Sequence, residues 1–159
     1  MNYGHLKHLL DEIGTRMNIP LPMENGAAAF EDKEGALWLI EASAAGDMLL
    51  IHCALFQGIS LSPEQCQRAL SMNFNSELLC GCYFALNELN SSLRLCLLSE
   101  TKYLDADILE NRLLNMMNVK AGVIRYLLAE ANRAVAAKNN SFHGNRLISG
   151  GSHASAFRR

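Results

Sequence analysis

Three short apolar stretches in the first third of the chain constrain its fold most. They lie at about residues 26–31, 35–43 and 47–56, and the polar, Gly-containing connections "DKEG" and "SAAGD" separate them. Alternating apolar residues joined by such short links are typical of β-hairpins. We therefore predict three consecutive antiparallel strands.

Helices are predicted on both sides of these strands. Apolar residues recur at helical spacing over residues 3–17. The stretch "SPEQCQRALSMNF" predicts a second helix, in which Ser62 is the N-cap and Gln65 closes a capping box. A long last helix is predicted from about residue 105 to residue 138, because apolar positions again recur every three or four residues.

Two further strands are predicted between the second and the last helix, at residues 78–86 and in "LRLCLLSE". The order of elements is then α-β-β-β-α-β-β-α. Hairpin strands interrupted by helices indicate the α+β class rather than parallel βαβ units. The predicted fold is a twisted antiparallel sheet packed by helices.

The 78–86 stretch is apolar on both of its expected faces, as are the second and third strands. One face would carry Leu78, Cys80, Cys82, Phe84 and Leu86, and the other Leu79, Gly81, Tyr83 and Ala85. The helices can cover only one face of the sheet, and large exposed apolar patches usually mark interfaces. The surplus predicts a dimer that keeps a second apolar surface for a partner; a plain homodimer is the alternative.

Charge divides the chain of 159 residues into two parts. Residues 139–159 contain three arginines and no Asp or Glu, so residues 1–138 carry −5 of the total formal charge of −2. We predict one domain over 1–138 and a flexible basic tail over 139–159. An acidic body argues against nucleic acid as a partner, since phosphate binding needs a basic surface.

No motif in the chain indicates catalysis or a cofactor. It has no G-x-S-x-G, no P-loop and no G-x-G-x-x-G. Cys80 and Cys82 would point the same way on a strand, but a zinc site needs about four ligands and no second pair is available. We predict no metal, no cofactor and buried, reduced thiols. The thiol pattern is typical of a cytoplasmic protein. The chain also shows no membrane-length apolar stretch and no signal-peptide pattern at its start.

Three segments, in this order, resemble the class I chaperones of type III secretion, the Tir-chaperone-like family. They are "LLDEIGTRMNIPLPM", "GISLSPEQCQRALSMNFNS" and "CYFALNELNSSLRLCLLSETKYLDADILENRLLNMM". The resemblance runs from about residue 5 to residue 135. The length of the last helix, the basic tail and the five cysteines depart from the family pattern.

The resemblance implies a cytosolic bacterial homodimer without catalytic activity. Such chaperones bind an N-terminal segment of a secreted effector in extended form and keep it competent for secretion, with possible further contact to the secretion apparatus. The partners it implies are therefore an effector and a second copy of the chain, with no nucleic acid and no membrane insertion. Two alternatives stay open: a dimeric adaptor or anti-activator of the same fold that binds a regulatory protein, and an enzyme.

The resemblance also implies two sets of site residues. The client-binding set comes from the first helix and strands one to three: Leu6, Leu10, Ile13, Phe30, Leu37, Trp38, Leu39, Ile51 and Leu55. The dimer-interface set comes from the second helix and the 78–86 strand: Cys66, Leu70, Phe74, Leu79, Tyr83 and Phe84. Client binding would add a strand at a sheet edge, with apolar pockets fixing the register.

Overall fold

The computed structural model describes residues 3–56 and 61–144, with side chains up to residue 129. The chain divides into two compact units, residues 1–124 and residues 125–159. The first unit contains the whole sheet and the helices around it. The second contains the C-terminal part of the last helix.

The elements confirm the predicted α+β order. They are α1 (Gly4–Met17), β1 (Ala27–Glu31), β2 (Leu37–Ala42), β3 (Met48–Ala54), α2 (Pro63–Met72), α3 (Ser76–Leu79), β4 (Tyr83–Asn87), β5 (Ser92–Glu100), a 3₁₀ turn (Thr101–Tyr103) and α4 (Ala106–Gly144). The three hairpin strands and α2 lie where the sequence places them.

All neighbouring strands are antiparallel, in the order β1-β2-β3-β5-β4. The connection that carries α2 leaves β3 and returns to β4 at the far edge of the sheet, so β5 lies between β3 and β4. The two edge strands are therefore β1 and β4.

One face of the sheet, which we call the first face, carries the core. Directly paired residues lie on the same face of an antiparallel sheet, and one such row crosses all five strands. It consists of Phe30, Trp38, Cys53, Leu95 and Phe84, all of which are buried. The rings of Phe30 and Trp38 stack at 5.9 Å.

Helix α4 packs against the first face. Lys120 is buried and lies over the Trp38 ring, with Nζ 5.8 Å from the ring centroid. Arg112 donates to Ser99 on β5. The N-terminal turn of α4 is also joined to α1, because Arg16 contacts Asp107 at 2.5 Å.

The prediction of a strand starting at residue 78 is wrong. The Asn75 side chain accepts a hydrogen bond from Leu78 N at 3.1 Å and caps the short helix α3. Cys80 and Gly81 follow with φ values of +49° and +82°, a left-handed conformation that no strand can continue through. β4 therefore begins only at Tyr83.

The last helix is longer than the sequence predicts. It continues to Gly144, six residues past the expected end at residue 138. The first six residues of the predicted flexible tail are thus helical. The rest of that prediction, residues 145–159, lies outside the described residues.

Candidate functional site

The opposite side of the sheet, the second face, is apolar and partly exposed. It carries Leu37, Leu39, Glu41, Leu50, His52, Tyr83, Arg94, Cys96 and Leu98. Leu98 is 51% exposed, Leu37 43% and Tyr83 37%. His52 and Cys96, which lie between them, are buried. Large apolar side chains left this exposed on one face of a sheet favour an interface.

The strand register brings the second-face residues together. Leu39, His52, Cys96 and Tyr83 form one cross-strand row. The residues of the next row are Glu41, Leu50 and Leu98. Ala29 pairs with Leu39, so all five strands contribute to this face, which no single stretch of sequence reveals.

A polar relay crosses this apolar face. Arg94 Nε donates to His52 Nδ1 at 2.7 Å, and His52 Nε2 lies 2.9 Å from Glu41 Oε2. Because Nδ1 accepts from an arginine, the neutral ring carries its proton on Nε2 and donates it to Glu41. Sequence reasoning missed this relay, since its three members come from three different strands.

The β1 edge directs backbone groups away from the sheet. Ala27 exchanges hydrogen bonds with Glu24 on the side away from β2. Since successive residues of a strand point their backbone groups to alternate sides, Ala29 and Glu31 also direct theirs outward. Among the described residues, neither has a backbone hydrogen-bond partner on that side.

The β4 edge is partly closed, because the residue after α2 pairs with it. The Asn73 side chain accepts from Phe84 N at 2.7 Å and donates to Phe84 O at 3.2 Å. One amide side chain thus pairs both outward groups of Phe84, as a neighbouring strand would. The sequence analysis gave no role to Asn73, although the sequence shows that this residue follows the last turn of α2.

Helix α2 presents an apolar stripe to solvent. Phe74, two residues beyond its end, is 99% exposed, and Leu70 is 48% exposed. Both line an open surface depression together with Pro63 and Cys66. The predicted capping box starts this helix: Gln65 N donates to Ser62 Oγ at 3.3 Å, and Ser62 N donates to Gln65 Oε1 at 2.8 Å.

The predicted client-binding residues divide between the core and the second face. Only two of the nine, Leu37 and Leu39, lie on the second face, where a partner could contact them. The other seven are buried in the protein's own core: Leu6, Leu10, Ile13, Phe30, Trp38, Ile51 and Leu55. Alternation could not separate the two groups, because both faces of β2 and β3 are apolar.

The predicted dimer-interface residues also divide. Cys66, Leu70 and Phe74 lie along the exposed stripe of α2, and Tyr83 lies at the margin of the second face. Leu79 and Phe84 are buried within the chain. Whether these residues contact a second copy stays a prediction.

The thiols differ from one another in their surroundings. Burial raises the pKa of Cys53 to about 12 and the pKa of Cys82 to about 11. Cys80, however, is exposed, so it does not share a face with Cys82 as a strand would require. Among the described residues, no group of three or more His, Cys, Asp or Glu side chains could hold a metal ion.

The comparison that decides the family covers most of the domain. The family model of the Tir chaperone protein (CesT) family matches residues 8–121. The chain belongs to this family. It is a class I chaperone of type III secretion, and the resemblance stated from the sequence is confirmed.

Solved structures confirm the chaperone fold. The chain is similar to one in the ExsC–ExsE complex (TM-score 0.67, 19% identity), covering 77% of this chain and 92% of that one. It is also similar to one in the HopA1–SchA chaperone–effector complex (0.64, 18%), covering 77% and 95%. A third match is the heterodimeric ExoU–SpcU complex of the type III secretion system of Pseudomonas aeruginosa (0.54, 17%), covering 77% and 94%.

A comparison with curated sequences and the hydropathy of the helices both give a negative result. No curated protein sequence matches the chain significantly. In the described part of the chain, no helix is long and apolar enough to cross a membrane.

Proposed function

We propose that this chaperone is a non-catalytic, cytoplasmic homodimer that binds an N-terminal segment of a type III secreted effector. It holds the segment in extended form and keeps the effector competent for secretion. The observation that carries the proposal is the partly exposed apolar second face, which ends at a strand edge with outward backbone groups. Family membership and the effector complexes among the similar structures support it.

The β1 edge is where the segment would begin to pair. Ala29 and Glu31 offer outward N–H and C=O groups, and an extended peptide can take them up as a new strand. Backbone pairing gives affinity that does not depend on sequence. Beyond the edge, the apolar side chains Leu37, Leu39 and Leu98 offer contacts for the part of the segment that continues across the second face.

The α2 stripe is proposed as the dimer contact. Burying a large apolar side chain stabilises by roughly 1.5 to 3 kcal/mol, and Leu70 and Phe74 stand largely in water. If a second copy placed its own α2 stripe against this one, Leu70 and Phe74 of both copies would be buried. Such an arrangement is self-complementary, as two-fold dimers require.

The experiment is co-expression with the product of a neighbouring gene, followed by light scattering and limited proteolysis of the purified complex. We expect two copies of the chaperone with one partner, and protection of about 50 to 100 residues near the N-terminus of the partner, as a wrapped extended segment requires. A complex in which the chaperone protects only a folded domain would instead favour the regulatory adaptor. A dimer that protects nothing would contradict client binding.

A further inference from the structure

Among the described residues, Arg94 is the one arginine or lysine on the apolar second face. It lies on β5 and is paired with Ala54 on one side and Ala85 on the other. Both neighbours in its row are alanines, whose single methyl groups cannot reach across a guanidinium. The head of Arg94 therefore has no bulky neighbour within its own row, although the side chain is half-buried.

The relay fixes this guanidinium but uses only one of its donors. Nε is bonded to His52 at 2.7 Å, and His52 is held from its other side by Glu41 at 2.9 Å. An arginine carries five N–H donors, so four remain on the two terminal nitrogens. Among the described residues, these four have no hydrogen-bond partner.

The positive charge of Arg94 acts on the neighbouring thiol of Cys96. Burial raises the pKa of Cys96, and the charge of Arg94 opposes that rise. Glu41, the only carboxylate of the relay, reaches Arg94 solely through the imidazole ring, and its own side chain is 49% exposed. In the part of the chain that the structure describes, no carboxylate contacts the guanidinium directly, so its orientation comes from the relay.

The N–H donors of this guanidinium are held in place and are partly buried. A carboxylate is the group that fits them best, because it can accept two parallel N–H hydrogen bonds. We propose that Arg94 binds an Asp or Glu side chain of the client segment and so sets which stretch of the effector is held on the second face. His52 and Glu41 are positioning residues for Arg94. This inference rests on the proposed function, because it requires an extended client on the second face.

The overall charge of the protein makes the inference testable. The domain is acidic, with −5 over residues 1–138. Non-specific electrostatics would therefore favour basic peptides. A preference for acidic peptides would have to come from a local cation.

The experiment uses short random peptides displayed on phage with their C-termini fused, so that a side chain is the sole source of a carboxylate. The full-length chaperone is the bait, and enriched sequences are read. We expect Asp or Glu to be enriched at one position within an apolar pattern. For one such peptide, replacing the acid by its amide is expected to weaken binding to the wild type about tenfold, since charge-assisted hydrogen bonds are lost.

Two variants complete the test. In R94Q the acid and the amide peptide are expected to bind equally, because the cation is gone. K102Q is the matched control: Lys102 is an exposed cation just beyond β5, and its removal is expected to leave the tenfold preference unchanged. The acid-to-amide comparison on the wild type needs no variant, so the inference can be tested even if R94Q does not fold.

The outcomes separate this inference from the proposed function. Enriched peptides without an acidic position, or a preference that persists in R94Q, would overturn the role of Arg94 alone. Failure to enrich any peptide would overturn extended-segment binding, and the role of Arg94 with it.

Discussion

Asp32 illustrates how one residue joins the strands to α4. Its carboxylate accepts hydrogen bonds from the backbone N–H groups of Glu34 and Ala36, both at 2.9 Å. It also accepts from Trp38 Nε1 at 2.9 Å and from Lys120 Nζ at 2.7 Å. One side chain thus closes the β1–β2 turn, orients the central tryptophan and binds the buried lysine.

This arrangement predicts an acid-sensitive contribution to stability. Burial opposes ionisation of Asp32, yet the hydrogen bonds from Lys120 and Trp38 hold its pKa at about 2. A carboxyl whose pKa is lower in the folded than in the unfolded state stabilises above its unfolded pKa of about 4 and loses that contribution as the pH falls toward 2. The contribution at neutral pH is about 2 kcal/mol.

The measurement is the free energy of unfolding by urea for wild type and D32N between pH 7 and pH 2.5. We expect D32N to be less stable at pH 7 and the gap to narrow below pH 4. D11N, which alters an exposed carboxylate on α1, serves as the control and should leave stability nearly unchanged. A gap that stays constant down to pH 2.5 would contradict the ionised Asp32.

For single residues, the sequence shows which positions are apolar but not which face of the sheet each side chain occupies. The alternation in β2 and β3 predicted strands correctly, yet Trp38 and Leu39 look equally apolar in the sequence. Register decides between them: Trp38 pairs with Cys53 in the core, and Leu39 pairs with His52 on the second face. For this reason seven of the nine predicted client-binding residues proved to be core residues.

At the scale of elements, the sequence predicted α2 correctly and missed α3. The capping box of α2 was visible in "SPEQ" and is present in full. Helix α3 was missed because the apolar run after residue 77 resembles the sequence of a strand. What breaks the strand is the Asn75 cap together with the left-handed backbone at Cys80 and Gly81.

The α2 cap gives a prediction at this scale. S62A removes the hydroxyl that accepts from Gln65 N and should destabilise the protein by about 1 kcal/mol. Ser71, in the same helix, bonds to the carbonyl of Gln67 and caps nothing, so S71A is the control and should change little. The check is urea unfolding at one fixed protein concentration; equal effects of the two variants would contradict the role of the cap.

The apolar stripe of α2 gives a second prediction at the scale of elements. F74D places a charge at the centre of the proposed dimer contact and should shift the protein toward monomer, since burying an unpaired carboxylate is costly. L89D is the matched control, because Leu89 is as exposed as Phe74 (97%) but lies in the β4–β5 turn. Light scattering reads the mass: a dimer that persists in F74D would show that the chains associate elsewhere.

For the whole molecule, the order of elements and the family resemblance predicted the fold class correctly. The apolar surplus also predicted an interface; the structure leaves part of that surplus exposed on the second face, and its contact with a partner stays a prediction. What the sequence could not give is where that surplus lies, because the second face is assembled from five strands, with α2 inserted in the chain between two of them. Asn73 pairs Phe84 at the β4 edge, whereas Ala29 and Glu31 leave the β1 edge open.

The central claim, that an effector segment is held as an added strand, is tested most directly at that open edge. A29P removes an outward N–H that the sheet itself does not use, and proline is tolerated on edge strands. We predict that the protected effector segment binds A29P about tenfold more weakly than wild type, because a backbone hydrogen bond is lost and the ring obstructs its neighbours. A29V, which keeps the N–H, should bind normally. Equal affinity of A29P and wild type, with both folded, would contradict strand addition at β1.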